Sequence, residues 1–263
     1  MTLRFRSRLA SLSCLWLLAG CGAGNVQAAR SPADLAGIWT VTRVAVDQED
    51  QPHWLYFPDD PRLLGRQVSI GDAEVSIDNA SRPCEQPSFT TLARTDLQAF
   101  IGQRFLRPSR EGVPSHPTLA DFGLAASKGA VVPLQLGCTN PASEWNGAWV
   151  IALAPNRLMT NYDNSGYVLV LERDAGHAAT PSFACAKASG PAERAICHSA
   201  TLAGYDRSVA AAWRRALSLA GGDSAELRQA QKDWLKTRND CGSDVDCLGK
   251  SMRERVDALM QQQ

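Results

Sequence analysis

The sequence predicts an α+β protein in two parts: an antiparallel β-barrel or sandwich, followed by a small disulfide-stapled α-helical module. Residues 35–173 contain short runs of aromatic and β-branched residues separated by turn residues, which is typical of antiparallel strands. Residues 183–261 instead repeat apolar residues every three or four positions, the period of an amphipathic helix. Four cysteines lie in this second part, which indicates a thin helical core held by disulfide bonds.

The first 21 residues are predicted to be an export signal. MTLRFRSR carries three arginines and no acidic residue, and the apolar run that follows is too short to span a bilayer as a mature helix. The run ends in LAGC, residues 18–21, which resembles a bacterial lipobox; Cys21 is therefore predicted to be lipidated and residues 22–34 to form a tether. Gly22 is not the aspartate associated with inner-membrane retention, so the outer membrane is favoured. The alternative is cleavage after VQA, residues 26–28, which would release a soluble secreted protein.

The charge distribution excludes some classes of partner. Residues 22–180 hold 12 basic and 17 acidic residues, net −5, and residues 181–263 hold 12 and 10, net +2. Neither part is basic enough to predict nucleic-acid binding. A nucleophile elbow, Walker loop, HExxH motif and Rossmann glycine pattern are all missing from the sequence, so we predict a non-enzyme without a cofactor. The acidic pair Asp59-Asp60 is interpreted as a turn before a strand.

The predicted strands follow one another along the first part. GIWTVTRVA opens it, and GRQVSI and AEVSID flank Gly71-Asp72 as a hairpin. AVVPLQL, GAWVIAL, NRLMTNY and GYVLVLE complete the series. Between them, residues 85–128 are less regular: LARTDLQAFI is predicted to be a short helix and RPSREGVPSHP, because of its prolines, a loop.

Two ends of the strand region carry a recognisable pairing. Gly37-Ile38-Trp39 opens the first strand and Arg173 closes the last. This weakly resembles the lipocalin-like barrels, in which an early Gly-x-Trp packs near a late arginine. It supports a small β-barrel, with Trp39, Trp145 and Trp149 in the core or at a barrel end.

The second part is predicted to be an antiparallel helical module joined by the small-residue linker 174–182. Pro191 and Glu193 mark the first helix start, and Ser199 is expected to cap a second helix that ends at Gly221-Gly222. Residues 223–226 resemble a capping box before a third helix, and a clean apolar stripe predicts a fourth over 245–259. The residues predicted to form its core are Trp213, Trp234 and Leu248.

Six cysteines remain after the export signal, and in an oxidising compartment they predict up to three disulfide bonds. Cys84 and Cys138 fall in the strand region; the other four are Cys185, Cys197, Cys241 and Cys247. The even count in each part indicates that bonds do not cross between them. C-x11-C and C-x5-C are not zinc-finger spacings and C-x-x-C is missing, so staples are favoured over a metal site or a redox pair. Three pairings of the last four cysteines remain open; up-and-down helices favour bonds from the opening segment to the last turn.

An ordered series of residues in the helical part matches a known pattern. It reads FACAKAS (183–189), PxExAIC (191–197), LxxYD (202–206), QxxWLxxRxxC (231–241), CL (247–248) and RxxxL (255–259). Over residues 181–261 this resembles the LprI-type lysozyme-inhibitor domain of secreted and lipid-anchored bacterial proteins. Met252 stands where the usual residue is tyrosine.

The resemblance implies an envelope lipoprotein that binds and inhibits lysozyme. Lysozymes cleave glycosidic bonds with two carboxyl groups that lie in a cleft. A rigid loop that carries a cation would be complementary to these carboxyl groups. The favoured binding residues are Lys187, Arg194 and His198, on the stapled segment; Arg107, Arg110 and His116 of the proline-rich loop are a second candidate set. The alternatives are a small-ligand-binding β-barrel with a stabilising helical module, and a module that binds peptidoglycan or another envelope protein. The sequence gives no oligomeric state.

Overall fold

The computed structural model describes residues 31–50, 55–78, 82–107, 114–126, 129–162, 166–173 and 180–261. The predicted export signal with Cys21, Arg110 of the proline-rich loop and residues 174–179 of the predicted linker lie outside these residues. In the described part, antiparallel strands are followed by helices, so the predicted α+β class is confirmed. None of the described helices is long and apolar enough to cross a membrane.

The strand region begins with a short helix, α1 (Pro32–Leu35), which occupies the last residues of the predicted tether, and contains a second helix, α2 (Leu97–Arg104). Its strands are β1 (Gly37–Val46), β2 (Gln67–Ile70), β3 (Glu74–Ile77), β4 (Cys84–Glu85), β5 (Ser88–Thr91), β6 (Thr95–Asp96), β7 (Ala130–Val131), β8 (Leu134–Gly137), β9 (Trp149–Ala154), β10 (Arg157–Thr160) and β11 (Tyr167–Arg173).

Nine of these strands form one antiparallel sheet in the order β4-β3-β2-β1-β11-β10-β9-β8-β5. Its two edge strands, β4 and β5, are separated in the chain only by Gln86 and Pro87, so the sheet must curl until its edges approach each other. The carbonyl of Glu85 in β4 accepts hydrogen bonds from the backbone N–H (3.1 Å) and the hydroxyl (3.0 Å) of Thr139, just beyond β8. A disulfide bond joins Cys84 of the edge strand β4 to Cys138, which also lies just beyond β8, the neighbour of the other edge strand.

The concave face of the curled sheet is filled with apolar side chains. One continuous cluster includes Trp39, Val68, Leu136, Leu158 and Leu169, and each of these five side chains is at most 1% exposed. Clefts of about 470, 570 and 640 Å³ lie among the described residues. Val41 belongs to this cluster and lines one of them; the other residues that line the three clefts lie outside the cluster. The described interior of the sheet is occupied by side chains, which does not favour the carrier alternative.

The convex face is covered over part of its area by α2 and the turn that follows it. Trp149, Ile151 and Val168 on this face pack against Ile101 of α2 and against Phe122. The strands β9 and β11 are therefore buried on both faces, which explains why GYVLVLE reads as a continuous apolar run rather than an alternation.

The Gly-x-Trp and arginine pair meet at the end of the sheet. Trp39 lies opposite Arg173 in the β1–β11 pairing, and the guanidinium carbon of Arg173 lies 4.3 Å from the Trp39 ring centroid. The same guanidinium donates to the carbonyls of Asp34 and Ala36, both at 2.7 Å. Gly37 has φ +134°, and a Cβ there would lie 2.6 Å from Arg173 Nη1, so the contact requires glycine at this position.

The helical region comprises a 3-10 turn (Cys185–Lys187) and the helices α3 (Pro191–His198), α4 (Ala200–Leu219), α5 (Ala225–Asp240) and α6 (Val245–Met260). Side chains of Ser199, Ser224 and Asp244 cap α4, α5 and α6 by accepting from backbone N–H groups. Leu248 is fully buried, whereas Trp213 and Trp234 are only half-buried at the margin of the helical core. Trp234 Nε1 donates to the Ser251 hydroxyl at 3.2 Å, which orients its ring.

The helical region packs directly onto the strand region through α4. The hydroxyl of Ser208 donates to the carbonyl of Leu64 at 2.7 Å, and Thr201 donates to the side chain of Gln67, also at 2.7 Å. Between these bonds Gly204 of α4 faces Gly65, and a Cβ built on Gly204 would lie 2.4 Å from the Gly65 carbonyl oxygen. Two glycines thus allow backbone-to-backbone contact.

We expect Gly204→Ala to destabilise the protein, although alanine is the better helix former. Alanine in a helix interior gains about 1 kcal/mol over glycine, whereas forcing a methyl group into a closed backbone contact costs about 3 kcal/mol. Urea unfolding should therefore show a net loss of about 2 kcal/mol. Gly166→Ala is the control, because no atom of a described residue lies within 4 Å of a Cβ at that position. A Gly204→Ala protein as stable as the original would contradict the close contact.

A buried charged cluster lies beside this contact. The carboxylate of Asp78 and the guanidinium of Arg66 are 3.7 Å apart, and both side chains are less than a tenth exposed. Burial raises the pKa of Asp78 to about 6 and lowers that of Arg66. Arg66 also stacks on the ring of Tyr205 in α4, whose hydroxyl accepts from Arg253 of α6 at 2.9 Å. The cluster therefore links the sheet to two helices.

Candidate functional site

The candidate site is the stapled loop, residues 185–197, at the start of the helical region. Cys185 in the 3-10 turn bonds to Cys197 near the end of α3, with Cα atoms 5.8 Å apart. The second helical-region bond joins Cys241 to Cys247, across the turn between α5 and α6. The expectation of bonds from the opening segment to the last turn is therefore wrong. The opening segment folds back on itself, so that each cysteine meets its neighbour along the chain.

Hydrogen bonds within the stapled loop fix its backbone. The carboxylate of Glu193 accepts from the backbone N–H of Ser189 at 2.7 Å and of Gly190 at 3.3 Å. These bonds to the charged form lower the pKa of Glu193. Arg194 Nη1 donates to the carbonyl of Ser189 at 2.6 Å, so Arg194 is used inside the loop. His198 Nδ1 lies 2.6 Å from the carbonyl of Arg194.

Lys187 differs from the other two predicted binding residues. It is exposed, and among the described residues its ammonium group has no hydrogen-bond or ion-pair partner. Its neighbours Ala186, Ala188, Ser189 and Gly190 are all small. The stapled loop thus presents one free cation on a narrow, rigid stretch of backbone.

Apolar side chains and a hydrogen bond anchor the stapled loop to the helical core. Ala192 and Ile196 of α3 are buried, and Phe183 packs against the same core. Three residues before the loop, the backbone N–H of Ser182 donates to the carboxylate of Asp206 at 2.6 Å, and that carboxylate lies 4.0 Å from the buried Arg238. Asp206 and Arg238 therefore have structural roles.

The second candidate set has partners of its own. Arg107 donates to the carboxylates of Asp47 and Asp121, with its Nη2 at 2.6 Å from each, and these bonds raise its pKa. His116 Nδ1 lies 2.9 Å from the carbonyl of Gly102. Both side chains hold the convex-face turn in place, and neither is available as a free cation for a partner.

The acidic pair Asp59-Asp60 lies in a turn before β2. The Asp60 carboxylate is fully buried and accepts from the backbone N–H of Phe57 and Arg62 and from the Arg62 guanidinium, which agrees with its interpretation as a turn residue. In the part of the chain that the structure describes, no group of three histidine, cysteine or acidic side chains could hold a metal ion.

Comparisons with known proteins bear on the helical region. The family model described as "Lysozyme inhibitor LprI" matches residues 185–262, a segment that begins at the first cysteine of the stapled loop. Comparison with curated proteins and with solved structures found no match. The disulfide bonds fit an oxidising location outside the cytoplasm. The resemblance drawn from the sequence is thus confirmed for the helical region, which is similar to LprI lysozyme inhibitors.

Proposed function

We propose that this protein is an envelope lipoprotein that binds and inhibits lysozyme through the stapled loop. The match of residues 185–262 to the LprI family is the observation that carries the proposal. That match covers under a third of the chain, so lysozyme inhibition by the whole protein, lipidation at Cys21 and outer-membrane location are parts of the proposal.

The geometry of the stapled loop supports this function. A lysozyme cleft carries two carboxyl groups, and an inhibitor that fills it needs a slender element with a cation at its tip. Lys187 has that position, flanked by residues small enough to enter a cleft. The disulfide bond and the Glu193 and Arg194 hydrogen bonds hold the loop in one conformation, which lowers the entropy lost on binding. His198 and Arg194 are proposed to contact the cleft rim.

The proposal can be tested by adding the chain purified from residue 22 onward to cell-wall lysis assays with c-, g- and i-type lysozymes. Inhibition of at least one type at micromolar protein is expected. Unchanged lysis by all three would rule the proposal out. A pull-down on purified sacculi in the absence of lysozyme separates inhibition from the alternative of peptidoglycan binding, because an inhibitor leaves the sacculi unbound.

Lys187→Glu is expected to weaken inhibition at least tenfold, which corresponds to about 1.4 kcal/mol of binding free energy. The reversed charge would face the lysozyme carboxylates, and like charges that meet at an interface are strongly unfavourable. The measurement is the inhibitor concentration that halves the lysis rate. Lys232→Glu is the control, since Lys232 is an exposed lysine on α5 outside the stapled loop. Equal inhibition by both variants would show that Lys187 is not part of the binding surface.

A further inference from the structure

One of the clefts mentioned above lies where the strand region and the helical region of the protein meet. It has a volume of about 470 Å³ and is lined by residues of β1, of the turn before β2 and of α4, together with Ser182. This volume is within the range of small-molecule sites, which form preferentially where two folded regions adjoin. The stapled loop contributes no residue to its lining.

One wall of this cleft is a regularly spaced face of α4. Arg207 and Arg214 are seven residues apart, so they lie on the same side of the helix about 10.5 Å apart along its axis. Ala210 and Ala211 line the cleft between them. Their methyl groups leave a shallow apolar trough bounded at each end by a guanidinium.

The opposite wall comes from the sheet. Thr40 and Thr42 of β1 line it together with Leu64, and Thr42 lies at a register shift of the β1–β11 pairing. Gly65 also lines the cleft, and its backbone contact with Gly204 holds α4 against the strand region beside it. The cleft is therefore preformed by the same packing that joins the two regions.

The described charged side chains that line the cleft have one sign. Among the described residues that line it there are two arginines and no acidic side chain. Arg207 donates to the carbonyl of Thr180 and is thereby held beside the cleft. Arg214 is exposed, and the structure gives its guanidinium no hydrogen bond or ion pair with any described residue. Guanidinium groups bind carboxylate and phosphate oxygens in a bidentate manner, so this arrangement suits an oxyanion.

We propose that the cleft between β1 and α4 binds a small molecule that carries a carboxylate or phosphate group on a short apolar body. The oxyanion pairs with Arg214, the Thr40 hydroxyl donates to its polar groups, and the apolar body lies over Ala210 and Ala211. The Thr42 hydroxyl, which donates to the Val170 carbonyl at 3.4 Å, can act only as an acceptor. A molecule with an oxyanion at each end would also reach Arg207. This site is independent of lysozyme inhibition.

The proposal is tested by isothermal titration of the chain from residue 22 with linear dicarboxylates from succinate to sebacate, and with glycerol phosphate and inorganic phosphate. Saturable binding with a dissociation constant of about 1 mM or tighter is expected for at least one of them. The dicarboxylate and phosphate arms distinguish the two sources of the oxyanion. The neutral diamides of the same chain lengths should not bind.

Arg214→Gln should weaken that binding at least tenfold, while Arg228→Gln, which removes an exposed arginine of α5, should leave it unchanged. Because Arg214 is exposed, its replacement is not expected to impair folding, and equal melting temperatures of the two variants without ligand verify this. Lysis inhibition by Arg214→Gln should match that of the original protein. Failure of every oxyanion to bind, or equal binding by Arg214→Gln, would overturn the proposal.

Discussion

Replacing Cys84 and Cys138 together by alanine is expected to lower the free energy of unfolding by about 4 kcal/mol. The bond closes a loop of 54 residues, and the entropy that a cross-link removes from the unfolded chain grows with loop length. In the folded protein the same bond ties the edge strand β4 to the residue after β8, near the opposite edge of the curled sheet. Urea unfolding of the double variant against the original protein measures the effect.

The effect of removing the Cys241–Cys247 bond can be compared with that of removing the Cys84–Cys138 bond in the same protein. Its cysteines are only 6 residues apart, so its removal should cost about 2 kcal/mol by the same argument. The predicted order is therefore a larger loss for the sheet bond than for the helical turn. A reversed order would show that native-state contacts, rather than restriction of the unfolded chain, dominate both bonds.

Arg66→Met is expected to destabilise the protein by about 3–5 kcal/mol at pH 8, because it leaves the Asp78 carboxylate buried without its counter-charge. The loss should depend on pH. The folded-state pKa of Asp78 is already raised to about 6, above its ordinary value of 3.8, and removing Arg66 raises it further. A raised pKa favours the folded state at low pH, and this contribution is lost as pH rises through about 6. The destabilisation by Arg66→Met should therefore be smaller at pH 5 than at pH 8.

The double variant Arg66→Met with Asp78→Asn is the control for the charge effect. Asparagine keeps an oxygen for the backbone N–H of Gln67, which now bonds to Asp78 at 3.0 Å, and has no charge to bury. The double variant should be more stable at pH 8 than Arg66→Met alone, and its stability relative to the original should vary less with pH. A loss for Arg66→Met that is the same at both pH values would contradict an ionised Asp78 in the native cluster.

Local patterns predicted most of the longer strands and helices, but not α1, β4, β5 or β6, and LARTDLQAFI is helical only from Leu97 onward. The hairpin around Gly71-Asp72 is β2–β3, and Pro191 with Glu193 begins α3 as expected. In each case the signal lies in adjacent residues, where turn chemistry and capping act. The contact of Trp39 with Arg173 was accessible only through the resemblance to lipocalin-like barrels, since 134 positions separate the two residues.

Features that depend on tertiary packing could not be predicted in the same way. The sequence around Gly65 and Gly204 does not reveal that their backbones are in contact, because that contact depends on where α4 packs against the strand region. The burial of Asp78 and Arg66 has the same origin. For the stapled loop, the expected pairing assumed that cysteines meet at a common end of the helices, whereas Cys185 and Cys197 meet within one compact turn-helix unit. The spacing of Arg207, Ala210, Ala211 and Arg214 was a visible signal for the cleft between β1 and α4, but only the sheet supplies its other wall.

The three disulfide bonds have a further property in common. From Cys84 onward, each joins cysteines that follow each other in the chain: 84 with 138, 185 with 197, and 241 with 247. A polypeptide that emerges into an oxidising compartment from its N-terminus exposes each pair completely before the next cysteine arrives. Joining every cysteine to the first partner that becomes available then yields the native connectivity. Folding of this chain in such a compartment should therefore need an oxidase but no enzyme that rearranges wrongly paired cysteines.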